Sequence, residues 1–361
     1  MKRFLAGTAA ILAAVLFLSC PVSAISAQKA ILMDGDTGRV IYEKRADEKS
    51  LIASTTKIMT ALLICEQCNV LDRMSIPKEA VGIEGSSIYL QEGEVLSLQE
   101  LLYGMMLHSG NDAATALAIY CGGTVEGFAE MMNDKARMLK MNSTHFVNPH
   151  GLDAPNHYST ARDLAILAGY AMQNPIFAKT VAAKSVTIGT RSLTNHNKLL
   201  WRVEGADGVK TGYTKAAGRI LVSSAQRQGR RLIAVTIEDG NDWADHAALY
   251  EDGFQHYHVR HLVSKGQVLG RLKVFGGTQQ EVAVVATEDF SYALRDDETT
   301  TVRLSKKDMT FAPVVEGGDA GFAYICLGNK AVGKVPVEYA HTVEQQPAPQ
   351  KKSLLQHIFG E

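Results

Sequence analysis

Ser54-Thr-Thr-Lys57 sets a hydroxyl and an amine at i and i+3, which lie on one face of a helical segment and can touch. Protein packed around a lysine, with a second cation nearby, disfavours the charged form, so a neutral Lys57 amine can take the proton from Ser54 as the hydroxyl attacks. A helix N-terminus at the same place favours the negative charge that develops. The plain alternative is a serine cap followed by a solvated lysine, so the motif needs partners. Ser109-Gly-Asn111, between two helical segments, offers a hydroxyl that can relay a proton to a leaving amine. It also offers a carboxamide that can bond a substrate amide and steady Lys57. Lys210-Thr-Gly212, in a run that reads as an edge strand, supplies a positive charge, a hydroxyl and a position without a side chain. An extended peptide can lie along such a strand with its carboxylate against Lys210 and Thr211.

The elements that must carry these residues follow from pattern. Apolar runs at Lys29 to Met33 and Arg39 to Glu43, split by the turn formers Asp34-Gly-Asp-Thr-Gly38, predict a β-hairpin. Helical periodicity runs from Ser54 to Ile64, Ser97 to Leu107, Asn111 to Tyr120, Val125 to Lys140 and Thr160 to Met172. Strand-like runs return at Gly208 to Thr214, Ile220 to Gln226 and Leu232 to Glu238, before a helix from Trp243 to about Tyr257. Strands at both ends with helices between predict one α/β domain over 28–259, in which the N-terminal hairpin completes a sheet made late in the chain. Beyond it, short alternating runs at Gln280 to Ala286, Thr299 to Leu304 and Gly321 to Leu327 predict a small all-β domain over 260–343.

The ends and the composition bound the setting. Lys2 and Arg3 precede an uncharged apolar run from Phe4 to Leu18 and the small residues Val22-Ser-Ala24 and Ser26-Ala27, the pattern of a secretory signal peptide over 1–27. An uncleaved anchor is the competing reading, but the run is short for a membrane span. The last residues, 344–361, read as a linker, Glu344-Gln-Gln-Pro-Ala-Pro-Gln350, and then a short segment with Leu354, Leu355, Ile358 and Phe359 on one helical face beneath Lys351 and Lys352. That suits either an interfacial helix in peripheral contact with an anionic membrane or a frayed terminus. Among 361 residues, 37 Lys and Arg stand against 38 Asp and Glu, a net charge of −1 that gives no field for a polyanion and excludes a general nucleic-acid binder. Cys65-Glu-Gln-Cys68 lies in an apolar helical run, which points to buried structural thiols. A disulfide outside the cytoplasm stays open, with no pairing given by the sequence.

Taken in chain order, S-x-x-K, S-x-N and K-T-G behind an export signal resemble the penicillin-recognising serine acyl-transferases, and most closely the low-molecular-mass penicillin-binding proteins that are D-alanyl-D-alanine carboxypeptidases. Gly85-Ser-Ser87, Tyr89-Leu90, Leu101-Leu-Tyr-Gly104, Ser109-Gly-Asn-Asp112, Asn148-Pro-His-Gly-Leu-Asp153 and Lys210-Thr-Gly-Tyr-Thr214 share in it, so the resemblance covers nearly the whole chain. It implies an α/β (α+β) fold: a β-lactamase/transpeptidase-like domain with an antiparallel sheet and a helical subdomain, then the all-β domain. It further implies Ser54 as the acylated nucleophile and Lys57 as its base, Ser109 and Asn111 as proton relay and amide contact, and Lys210 with Thr211 as the carboxylate site. The backbone N–H groups of Ser54 and Tyr213 match the family's oxyanion hole, and Gly212 lies between the carboxylate site and that hole. The implied substrates are peptidoglycan stem peptides ending in D-Ala-D-Ala, with β-lactam antibiotics as inhibitors and no cofactor or metal. Two departures stand out: Ile52-Ala53 where the family usually has Pro-Ala, and Gly218-Arg219 where a smaller or apolar residue is more usual.

Other constellations fail. Gly205-Ala-Asp-Gly-Val-Lys-Thr211 has Val209 where a phosphate loop needs glycine, and there is no G-x-S-x-G elbow. His145, His150 and His157 form no recognised metal-ligand spacing and read as supports of a loop. The rival readings are a β-lactamase or a D,D-endopeptidase on the same scaffold, and a catalytically silent cell-wall binding protein. Five intact polar residues, Ser54, Lys57, Ser109, Asn111 and Lys210, argue against silence.

Overall fold

The computed structural model describes residues 25–305 and 309–347. The export segment up to Ala24 and the tail from Ala348 therefore lie outside the described residues. Antiparallel strands β1 (Lys29–Asp34) and β2 (Val40–Lys44) open the fold. A 3-10 turn over Ala53–Thr56 leads into helix α1 (Lys57–Gln67). A short pair, β3 (Arg73–Ser75) and β4 (Val95–Ser97), precedes α2 (Leu98–Leu107), α3 (Asn111–Gly122), α4 (Val125–Met138), α5 (Ala161–Ala171) and α6 (Pro175–Ala182). A second short pair, β5 (Ser185–Ile188) and β6 (Arg191–Thr194), and one turn of helix, α7 (Leu199–Arg202), return the chain to the long strands β7 (Ala206–Thr214), β8 (Gly218–Arg227) and β9 (Arg230–Ile237). Helix α8 (Asp242–His256) ends this part.

The five-stranded sheet runs β2-β1-β9-β8-β7 with every pair antiparallel, so the N-terminal hairpin completes a sheet made late in the chain. Strand alternation divides its side chains between two cores. Ile31, Met33, Val222, Ile233 and Val235 face the helices α1 to α6, whereas Ala30, Leu32, Leu221, Leu232 and Ala234 pack with Leu249 and Tyr250 of α8. Helix α1 runs through the middle of the helical layer, buried from Lys57 to Cys65, as an all-round apolar helix must be. The capping box of Ser97 and Glu100 fixes where α2 begins.

Several short elements escape the sequence pattern: α6, α7 and the pairs β3–β4 and β5–β6. The pairs have three or four residues per strand and largely surface positions, too few for period-2 alternation to register. Helix α6 did carry a start signal, because Asn174 accepts from the N–H groups of Ile176 and Phe177, with Pro175 at the first helical position.

The second part is all β. Strands β10 (His258–Val263), β11 (Val268–Phe275), β12 (Glu281–Ala286), β13 (Phe290–Leu294), β14 (Thr300–Leu304), β15 (Met309–Phe311), β16 (Asp319–Leu327) and β17 (Lys330–Tyr339) make a six-stranded sheet, β14-β16-β17-β12-β11-β15, and a two-stranded one, β10-β13. Arg39, at the end of the first hairpin turn, ties it to the sheet domain. Its guanidinium donates to both carboxylate oxygens of Glu298 at 2.7 Å and to the Ala293 carbonyl at 2.6 Å, between the rings of Tyr257 and Tyr292.

Candidate active site

Ser54 sits in the 3-10 turn, half-buried, and Lys57 is the first residue of α1, so the S-x-x-K spacing spans the turn-to-helix junction. Lys57 Nζ lies 3.0 Å from Ser54 Oγ, 2.7 Å from Asn111 Oδ1 and 2.6 Å from the His150 carbonyl oxygen. No side chain caps the turn or the helix, which disposes of the plain cap reading of the serine. Burial, then the charge of Lys210, pulls the Lys57 pKa well below its ordinary value, with Asp112 opposing. A neutral amine has two N–H donors and one lone pair. Asn111 Oδ1 and the His150 carbonyl can only accept, so they take the two N–H groups, and the lone pair is left facing the Ser54 hydroxyl.

Each of those acceptors is itself held. Asn111 opens α3; its Nδ2 donates to the Glu84 carbonyl at 2.6 Å and its backbone N–H to the Ser86 carbonyl at 2.7 Å, which fixes the orientation of its amide. Next to it, buried Asp112 accepts from Ser87 Oγ and from the N–H groups of Ile88 and Leu90, folding the segment from Gly85 to Leu90 onto the start of α3. The His150 carbonyl is aimed by the loop Asn148-Pro-His-Gly-Leu-Asp153. Asn148 Oδ1 accepts the Gly151 N–H at 2.7 Å, its Nδ2 donates to the Leu152 carbonyl at 2.9 Å, and Thr60 donates to the Pro149 carbonyl at 2.6 Å. Gly151 is indispensable there, since it has φ +89° and a Cβ would stand 1.8 Å from the Ala53 carbonyl oxygen.

The three histidines of this region serve the loop. His157 accepts the Val147 N–H at Nδ1, so Nε2 carries the proton and donates to Thr56 Oγ1 at 2.8 Å. His150 accepts the Leu152 N–H on its ring, and burial lowers its pKa to about 3 and that of His157 to about 4. His145 bonds the Asn156 carbonyl.

Strand β7 is the edge of the sheet, which bears out the edge-strand reading of Lys210-Thr-Gly212. Lys210 is buried, and desolvation pushes its pKa down to about 7; its Nζ donates to the Thr211 carbonyl at 3.0 Å. Gly212 has a packing role beside the one its type suggests. A Cβ there would approach Ala53 Cβ, the Ile52 carbonyl and Thr55 Cγ2, each at 3.3 Å, so its bareness also lets the strand pack on the Ser54 turn. The strained backbone of that turn, with Ala53 at φ +44°, sits against this contact.

A cleft of about 660 Å³ opens between this edge and the helices. Ser54, Ser109, Thr211, Gly212 and Tyr213 line it, while Lys57, Asn111 and Lys210 lie buried. Ser109, between α2 and α3, adopts φ +66° and lines the same cleft. Arg219 also lines the cleft, confirming its place at the rim. One guanidinium nitrogen donates to both Asp242 oxygens at 2.7 Å, so its charge is already matched. Two lining residues had no sequence signal. His108 and His196 stand with ring centroids 4.9 Å apart, and burial, then Lys210, lowers the His196 pKa to about 4. The other missed contribution is the His150 carbonyl, a backbone group that residue type cannot advertise.

An antiparallel sheet packed on a helical layer, with a serine–lysine contact in a cleft beside the sheet edge, is the architecture of the penicillin-recognising serine hydrolases. Residues 18–241 match the family described as D-alanyl-D-alanine carboxypeptidase, Peptidase_S11, and residues 257–345 match the one described as penicillin-binding protein 5, C-terminal domain. The chain belongs to the D-alanyl-D-alanine carboxypeptidase family and is a serine-type D-Ala-D-Ala carboxypeptidase. It is 32% identical to the D-alanyl-D-alanine carboxypeptidase DacF of Bacillus subtilis over 86% of this chain and 84% of the relative. Against DacC of Escherichia coli it is 32% identical over 89% of this chain and 85% of the relative. Among solved structures, penicillin-binding protein 5 of Haemophilus influenzae superposes with a TM-score of 0.77 at 28% identity, covering 89% of this chain and 98% of that one.

Proposed function

We propose that this carboxypeptidase is exported and removes the terminal D-alanine of peptidoglycan stem peptides through an ester on Ser54. The observation that carries the reading is the coordination of Lys57 Nζ by Asn111 and the His150 carbonyl, which leaves its lone pair to Ser54. Lys57 takes the hydroxyl proton as Ser54 Oγ attacks the penultimate D-Ala carbonyl. The oxyanion is held by the backbone N–H groups of Ser54 and Tyr213, and the substrate carboxylate by Lys210 and Thr211. Ser109 passes a proton to the departing D-alanine amine, and water then hydrolyses the ester. In this reading peripheral membrane contact falls to the tail segment Ser353 to Glu361, where the sequence sets Leu354, Leu355, Ile358 and Phe359 at helical spacing after Lys351 and Lys352. Signal cleavage after Ala24 preserves the bonds of Ser26 to Asp239 and Asp245, which cleavage after Ala27 would remove.

Penicillin acylates Ser54 in this reading and leaves slowly. The segment from Met141 to Thr160 contains no glutamate, and its one carboxylate, Asp153, is exposed outside the cleft. Among the described residues that line the cleft, the sole carboxylate is Asp242, held by Arg219. The test is to follow D-alanine release from a D-Ala-D-Ala peptide and, separately, penicillin turnover. Peptide turnover with a penicilloyl adduct that persists for minutes supports the proposal; rapid penicillin hydrolysis with no detectable adduct would replace it with a β-lactamase.

A further inference from the structure

Cys68 and Cys121 occupy the far ends of the two helices that begin at Lys57 and Asn111. Cys68 caps α1 with extended backbone, φ −123° and ψ 150°, and Cys121 lies in the last turn of α3. Although 53 positions apart in sequence, the two lie at adjoining helix ends: Tyr120, next to Cys121, donates to Asp72, four residues beyond Cys68, at 3.0 Å, and Cys68 is among the groups that raise the Cys121 pKa. Both are partly accessible, whereas Cys65, one turn earlier on α1, is buried. Spacing singles out Cys65 and Cys68, but the fold brings Cys68 to Cys121, because Cys68 leaves the helix where α1 packs on α3. Cys326 belongs to β16 of the other domain.

We propose that Cys68 and Cys121 form a disulfide that staples the distal ends of α1 and α3 in an oxidising compartment. Its biological setting rests on the export reading above; its chemistry does not. With a small disulfide as oxidant, the Cys68 thiolate attacks one sulfur, forms a mixed disulfide and expels one thiolate. The Cys121 thiolate then attacks the Cys68 sulfur and expels the second. The protein loses two protons and two electrons, and the oxidant becomes two thiols. Burial pushes the Cys121 thiol up to about 12, so its thiolate is scarce, and the step proceeds because attack is intramolecular. The staple sits about 15 Å along each helix from Lys57 and Asn111, at 1.5 Å per residue. It therefore closes a long loop and steadies the two helices without entering the cleft.

The test uses the full chain, incubated with oxidised or reduced glutathione, then alkylated and digested without reduction. The expected result is a cross-link between Cys68 and Cys121 that survives Cys65→Ser and is lost in Cys68→Ser and Cys121→Ser. The oxidised protein should melt roughly 5–10 °C above the reduced one, with peptide turnover at 25 °C unchanged. A Cys65–Cys68 link, or free thiols at 68 and 121 after oxidation, would overturn the proposal. Because the oxidant is supplied, these outcomes do not depend on whether the cell exports the chain; signal cleavage in cells tests that separately.

Discussion

Lys210→Met should make the protein more stable at low pH and no more stable at high pH. Lys210 is buried, and its pKa falls from 10.5 in the unfolded chain to about 7 in the folded one through desolvation. Between those values the unfolded chain binds a proton that the folded chain lacks, so the stability of the natural protein rises with pH across that window. A shift from 10.5 to about 7 corresponds to a penalty of about 5 kcal/mol at pH 6, shrinking to about 1.4 kcal/mol at pH 9.5. Methionine has similar bulk and no charge; it forfeits the bond from Nζ to the Thr211 carbonyl, about 1 kcal/mol. The variant should therefore gain about 4 kcal/mol at pH 6 and close to nothing at pH 9.5, read as urea midpoints at the two pH values. A gain that is independent of pH, or that grows with pH, would refute the burial of an unpaired ammonium as its source. The same variant should lose most of its activity on peptides that end in a carboxylate.

Three further outcomes follow from the same geometry. For the natural enzyme, kcat/KM on D-Ala-D-Ala peptides should fall above about pH 7, where free Lys210 loses its proton, and a profile flat to pH 9 would separate Lys210 from carboxylate binding. Gly151→Ala should slow acylation about a hundredfold or more at a temperature where the fold persists, because the added Cβ displaces the loop that aims the His150 carbonyl at Lys57. Deleting Ser353 to Glu361 should release the protein from anionic vesicles without altering turnover of a soluble peptide; equal vesicle recovery would leave the tail as a plain terminus.

The parts of the site visible in sequence are those in which a side chain acts near its own motif. Ser54 and Lys57 are local in sequence, and Lys210-Thr-Gly212 lies within a single strand-like run, β7. The hidden parts act through backbone or through distance. The His150 and Glu84 carbonyls that position Lys57 and Asn111 have no residue-type signature. The nearness of Cys68 to Cys121 depends on how α1 packs on α3, which helical periodicity does not encode. The packing of Gly212 on the Ser54 turn is hidden too, because a missing side chain does not say which surfaces need the room.

The role of Ser54 is tested most directly by intact-protein mass spectrometry after brief exposure to a penicillin, with the natural chain beside Ser54→Ala and Lys57→Ala. The natural chain should gain the mass of one penicillin, located by peptide mapping on the segment that contains Ser54. Both variants should stay folded and unmodified, the first lacking the nucleophile and the second the base. Penicillin mass on Ser54→Ala, or an adduct mapped to any other residue of the natural chain, would contradict the assignment.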